Sequence, residues 1–125
     1  VIRGIGVDIV EIERIGKSIR ELGDRFLQKI FTPHEIGYSV SKHNAQQHFA
    51  ARFAAKEALS KAIATGWSGE FRWQDVEVVN APSGKPMFEF HGAMRQTLAE
   101  CNVFLSLSHS ESHVVAMVVI EYAHQ

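Results

Sequence analysis

Residues 49–66, FAARFAAKEALSKAIATG, decide how this chain is read. As a helix the stretch sets Phe53, Glu57 and Lys61 in one line at four-residue spacing, with Arg52 and Lys56 on a neighbouring line. Alanines fill most of the other positions. They favour helix and leave room for a strand or another subunit to approach closely. Acidic and basic groups on so apolar a helix are not the pattern of a solvated face; the segment is built to hold charge in a defined place. Gly66 is expected to close it.

The totals set the frame. A chain of 125 residues is long enough to bury a modest core, and residues 1–125 are expected to form one domain. A hydrophobic share of 46% and a charged share of 22% are those of an ordinary soluble protein. The formal net charge of −1 gives no global argument for nucleic acid or an anionic membrane, so an anion site must be local. One cysteine, Cys101, excludes an internal disulfide framework and suits a reducing compartment. The opening VIRGIGVDIV is apolar but too short to span a bilayer and carries Asp8. A cytoplasmic protein is expected.

Along the chain, 2–10 read as a buried strand in which Gly4 and Gly6 allow close backbone approach. Asp8 interrupts it. A carboxylate there either caps the helix that follows or is paired, protonated or bound to a cation. Residues 11–22 form an amphipathic helix with Ile12, Ile15, Ile19 and Leu22 as its buried stripe and Arg14, Lys17 and Arg20 off it. Gly23 ends it, and a short helical piece follows from Asp24. Thr32-Pro33-His34-Glu35 combines an N-cap hydroxyl, a first-turn proline and the glutamate of a capping box. Residues 39–47 are polar and expected to be a turn or loose helix end. Strands are predicted at 75–80 and 87–90 around the turn APSGKP, and at 103–108 and 113–121 around SHSES. A helix is predicted over 93–101, with Cys101 buried and Asn102 as its C-terminal cap. The order of elements is that of an α+β domain.

GVDIVEI (6–12), FAAKEALSKA (53–62), SGKP (83–86) and LSLSHSESHVVAMVVIE (105–121) together resemble the holo-acyl-carrier-protein synthases, the small bacterial class of 4′-phosphopantetheinyl transferases. The most specific piece is F-x-x-K-E-x-x-x-K from Phe53 to Lys61, preceded by the aspartate of GVD. The resemblance runs nearly end to end. It implies an antiparallel sheet packed against a long central helix, and a homotrimer with sites at subunit interfaces. It also implies transfer of the phosphopantetheine arm of coenzyme A to a serine of apo-acyl carrier protein, releasing adenosine 3′,5′-bisphosphate, in support of fatty acid biosynthesis. Asp8 and Glu57 would bind magnesium, and Lys61 would lie near the pyrophosphate. Arg52, the turn Ser83-Gly84-Lys85-Pro86 and the turn Ser108-His109-Ser110 would follow the nucleotide. The tip SHS departs from threonine-containing versions of that turn. Arg14 and Arg20 are the implied face for the acidic carrier protein.

The residues suit that chemistry. Phosphoryl transfer needs charge neutralisation and alignment more than covalent help from the protein. Magnesium takes one or two carboxylates plus phosphate oxygens and waters, which fits a sparse pair such as Asp8 and Glu57. Lys61, one turn after Glu57, either reaches a phosphate as a point charge or forms an i,i+4 ion pair with Glu57. Proton removal from the carrier serine falls to Glu57 or to water held at the magnesium. The SGKP turn offers backbone N–H groups with no side chain at Gly84 to block approach. It is no Walker A loop, so a general nucleotide hydrolase is not supported. His109 and His113 are four apart, but the turn between them is unlike the helix face on which that spacing holds zinc. The remaining histidines, 34, 43, 48, 91 and 124, are expected to be exposed. Three other readings stand beside the transferase. A binding module for coenzyme A would avoid two carboxylates near the anion, a metal-dependent phosphoesterase would need no carrier protein, and a purely structural trimer would leave Glu57 and Lys61 without a task.

Overall fold

The computed structural model describes residues 1–63 and 71–124. The elements in order are β1 (Ile2–Glu11), α1 (Ile12–Leu22), α2 (Asp24–Ile30), α3 (Pro33–Val40), α4 (Ala45–Ile63), β2 (Val76–Asn80), β3 (Pro86–Phe90), α5 (Gly92–Thr97), β4 (Cys101–His109) and β5 (His113–Tyr122), with a 3-10 turn at Trp73–Asp75. They make a three-stranded antiparallel sheet in the order β1-β5-β4 and a separate antiparallel hairpin of β2 and β3. The expected closure of α4 at Gly66 falls outside the described residues.

Strand alternation sorts the larger sheet into two faces. Its inward rows carry Val10, Leu105, Val114, Ala116, Val118 and Ile120, all buried against α4. Helix α4 answers with Ala50, Ala54, Ala58 and Ala62. The strand-to-helix approach is closest at two glycines: a Cβ on Gly4 would lie 1.9 Å from the carbonyl oxygen of Ala62, and one on Gly6 equally close to that of Ala58. Only glycine fits there. Asp8 continues the same inward row and pairs in register with Ala116. The first strand therefore delivers a carboxylate to the sheet–helix seam. The outward row is apolar as well, with Ile5, Val7, Ile9, Phe104 and Met117 each about half exposed or more.

Several local expectations are corrected. Asp8 does not cap α1; Glu11 holds that position, with no side-chain cap, and β1 runs on to it. Leu22 is exposed because α1 ends there, beyond the reach of the stripe set by Ile12, Ile15 and Ile19. Within 39–47, α3 continues to Val40 and α4 already begins at Ala45. The last helix stops at Thr97, and Cys101 and Asn102 belong to β4, where they pair with Tyr122 and Glu121. Cross-strand pairing outweighs the helical spacing of Met94, Leu98 and Cys101. The capping box at Thr32 and Glu35 and the hairpin of β4 and β5 form as the sequence predicts.

Candidate active site

The Gly4–Gly6–Asp8 row of β1 meets the Glu57–Lys61 line of α4 at one pocket of about 350 Å³, lined by Asp8, Ile9, Val10, Arg14, Ile15, Ser18, Phe26, Phe53 and Glu57. Lys61 reaches across to the strand: its Nζ donates to Asp8 Oδ1 at 3.0 Å and to the carbonyl of Val7 at 3.1 Å. The i,i+4 ion pair with Glu57 thus gives way to a pair between helix and strand. Burial, and next the neighbouring charge of Asp8, raise the pKa of Glu57, while Lys61 and Arg14 pull it back. Two carboxylates that repel each other in a part-buried pocket form the donor set a divalent cation relieves. The residues fit magnesium.

A second cleft of about 340 Å³ is walled by Tyr38, His48 and Arg52 on one side, and by Lys85, Pro86, Ser108 and His109 among others. Arg52 is only 3% exposed. Its guanidinium stacks 4.3 Å from the centre of the Tyr38 ring, donates from Nη2 to Asn80 Oδ1 at 3.0 Å and from Nη1 to the His48 carbonyl at 3.5 Å. Asn80 in turn donates to the carbonyl of Gly84 at 3.0 Å, so the same side chain holds both the arginine and the SGKP turn. Gly84 needs its own freedom: its φ is 90°. Desolvation first, then the charges of Arg52, Lys42 and His109, lower the pKa of His48, so this imidazole stays neutral to lower pH than an exposed one. A pair of basic side chains around a cleft, backed by a neutral histidine, is suited to a polyanionic ligand.

The model of the 4′-phosphopantetheinyl transferase superfamily matches residues 4–118. The chain belongs to the 4′-phosphopantetheinyl transferase superfamily. It is 51% identical over 123 residues to the holo-(acyl-carrier-protein) synthase of Koribacter versatilis, covering 96% of this chain and 98% of that one. To the synthase of Solibacter usitatus it is 46% identical, covering 94% and 97%. Among solved structures, the synthase of Neisseria meningitidis superposes with a TM-score of 0.88 at 36% identity over 97% of this chain and 99% of that one. A Bacillus anthracis synthase in complex with CoA (3′,5′-ADP) does so with 0.79 at 39% identity, over 97% of each chain.

In this transferase the residues singled out by sequence separate into groups. Asp8, Glu57, Lys61 and Arg14 come together, as do Arg52, Lys85, Pro86, Ser108 and His109 in the cleft. Ser83 and Gly84 are exposed at the tip of their turn and are not part of the cleft lining. Ser110 is outside it too: its Oγ accepts from the N–H groups of Ser112 and His113 and closes its own hairpin. Arg20 is exposed and ion-paired with Glu13 of the same helix. His113 Nδ1 sits 2.8 Å from Ser112 Oγ. Among the described residues, the group of three whose ligand atoms lie within 4.8 Å of one another is Glu77, Glu89 and His91. His91 is therefore half-buried and bonded to Glu77 at 3.1 Å rather than free in solvent.

Sequence reasoning missed Tyr38, His48 and Asn80 in the cleft, and the role of Lys56. Within F-x-x-K-E-x-x-x-K, Phe53 stacks on Trp73 with ring centres 5.5 Å apart, Glu57 lines the pocket, and Lys61 bonds Asp8 of its lining. Lys56 points the other way. It is fully buried and pairs with Glu35 at 2.7 Å. Removing one partner of such a pair typically costs about 3–5 kcal/mol, because an unpaired charge stays buried. One signal was available: His48, Arg52 and Lys56 recur every four residues, which puts them on one helix face.

Proposed function

We propose that this chain is a magnesium-dependent holo-acyl-carrier-protein synthase, which transfers the 4′-phosphopantetheine group of coenzyme A to a serine of apo-acyl carrier protein. The observation that carries this is the meeting of Asp8 and Glu57 in one pocket, with Lys61 bonded to Asp8 at 3.0 Å. Magnesium, held by Asp8 and Glu57, would supply neutralisation of the pyrophosphate charge. The remaining work belongs to the side chains. Lys61, about half exposed, offers its ammonium to the same phosphates. Arg52, Lys85, Ser108 and His109 bind the nucleotide end, which fixes the pyrophosphate against the carboxylates.

The carrier serine's oxygen attacks the phosphorus that bears pantetheine. The P–O bond to the nucleotide breaks, and adenosine 3′,5′-bisphosphate leaves with the bonding electrons. The serine proton must go to a base, and the candidates are Glu57, which lines the pocket beside Asp8, and water held at the magnesium. Arg14, exposed at the rim of the same pocket, would meet the acidic carrier protein as it brings its serine in. Arg20 would add to that face from the far end of α1.

A homotrimer is part of the same reading. What supports it is the exposed apolar row of the larger sheet, where Ile9 is 65% and Val7 55% exposed, a surface that a second copy would cover. No helix among the described residues is long and apolar enough to cross a membrane.

The deciding experiment is the intact mass of apo-acyl carrier protein after incubation with this protein and coenzyme A, with magnesium and with chelator. A gain of one phosphopantetheine group with magnesium only is expected. Release of phosphopantetheine without a carrier would instead identify a phosphoesterase, and bound but unreacted coenzyme A a binding module.

A further inference from the structure

Arg52 and the two side chains that hold it at the cleft wall, Tyr38 and Asn80, each stand one structural step from a buried ionic cluster. On α3, Tyr38 follows Glu35 by three residues. On α4, Arg52 precedes Lys56 by four. On β2, Asn80 follows Val78 by two. Those intervals are the repeats of a helix face and of a strand face. The cluster itself joins the same three elements. Lys56 Nζ donates to Glu35 Oε1 at 2.7 Å, to the Ile30 carbonyl at 2.7 Å and to the Trp73 carbonyl at 3.1 Å. Glu35 Oε1 also accepts from the Thr32 N–H, and its Oε2 from the Val78 N–H at 2.7 Å. All three ammonium protons are used, and both carboxylate oxygens are engaged.

Arg52 is held more loosely. It has one short hydrogen bond, one at 3.5 Å, a ring face, and a buried Nε with no partner. Its place depends on the relative register of α3, α4 and β2. Apolar packing holds these elements together without direction and tolerates small slides. Charge-assisted hydrogen bonds do not, since a slip of one residue along α4, about 1.5 Å, would break several at once.

We propose that Glu35 and Lys56 are positioning residues for the coenzyme A cleft: their buried pair locks α3, α4 and β2 in the register that presents Arg52, between Tyr38 and Asn80, to the nucleotide. This rests on the reading of Arg52 as a nucleotide contact, so the test carries its own check on that reading. Transfer kinetics are measured for Lys56→Met, Arg52→Met and Leu59→Ala. Leu59 is fully buried on the same helix and belongs to neither cluster. The double variant Glu35→Gln with Lys56→Met removes the unpaired charge, keeps an acceptor for the Val78 N–H, and serves if the single variant does not fold.

The expected result is a rise of about tenfold in KM for coenzyme A in Arg52→Met and in the Lys56 variants, with KM for the carrier protein within about twofold. Leu59→Ala lowers Tm but leaves KM for coenzyme A unchanged. If Arg52→Met leaves that KM unchanged, the cleft reading and the proposal both fall. If Arg52→Met raises it and the Lys56 variants do not, the positioning role is overturned and the cleft reading stands. An equal rise in Leu59→Ala would assign the effect to general loosening and overturn the proposal as well.

Discussion

Lys61 of α4 bonds Asp8 of β1, Nζ to Oδ1, at 3.0 Å, and also holds the Val7 carbonyl of the same strand. The contact crosses the seam where two glycines let strand and helix touch, and it sets a cation beside the two carboxylates of the pocket. Asp8 is paired with Lys61, while Glu57 feels Asp8 as a like charge and Lys61 and Arg14 as opposite ones. Replacing either carboxylate by its amide keeps the shape and removes one charged ligand. Asp8→Asn and Glu57→Gln are each expected to lower transfer by about 10²-fold or more and to raise the magnesium concentration needed for half-maximal rate. A magnesium titration read by carrier-protein mass checks both; unchanged turnover would remove the two residues from the mechanism.

Glu57 makes a prediction about pH. Its pKa is raised in the folded chain, chiefly by burial and next by Asp8, so the folded state binds its proton more readily than the unfolded state does. The stability this contributes is present below the unfolded value and is lost as pH rises through the folded one. In chelator, Tm of the parent is therefore expected to fall relative to that of Glu57→Gln as pH rises above the ordinary carboxylate value of about 4. Lys61→Met removes a charge that opposes the shift, and it should move the fall to higher pH. A constant difference in Tm across that rise would contradict the assignment.

The seam itself is sensitive to a single methyl group. Gly6→Ala would place a Cβ 1.9 Å from the Ala58 carbonyl oxygen, which only movement of the strand or helix can relieve. A loss of about 1–3 kcal/mol in urea denaturation is expected, of the size found for overpacked cores. Activity should fall further than stability does, because the displaced strand carries Asp8. A variant with parent stability and full turnover would show that the close approach has no function.

The outward face of the sheet gives a test of assembly. Val7→Glu puts a charge in the middle of the exposed apolar row, among Ile5, Ile9, Phe104 and Met117. Sedimentation is expected to give three chains for the parent and one for the variant, with the far-ultraviolet spectrum unchanged. A parent that sediments as one chain would sink the trimer, and with it any site shared between subunits.

Much of this was legible in the sequence because it is written in local patterns. The capping box at Thr32 and Glu35, the hairpin of β4 and β5, the glycines of β1 and the charged line of α4 each follow from spacing and residue type alone. Asp8, Glu57 and Lys61 stood out for a physical reason: charge in apolar surroundings has to be offset by something. What the sequence could not decide is which charges face each other. Lys56 and Glu57 are neighbours in the chain, yet the turn of the helix sends Lys56 to Glu35 in the core and Glu57 to the pocket with Asp8. Lys61 could have paired with Glu57 one turn back, and the packing of β1 against α4 gave it Asp8 instead. Tyr38 and Asn80 carry no local signal at all, and His48 only its four-residue spacing to Arg52; they become a binding wall only when α3, α4 and β2 are brought around Arg52. Local spacing sets which face a side chain occupies, but its partner across that face is a long-range contact, and only the packed tertiary structure settles it.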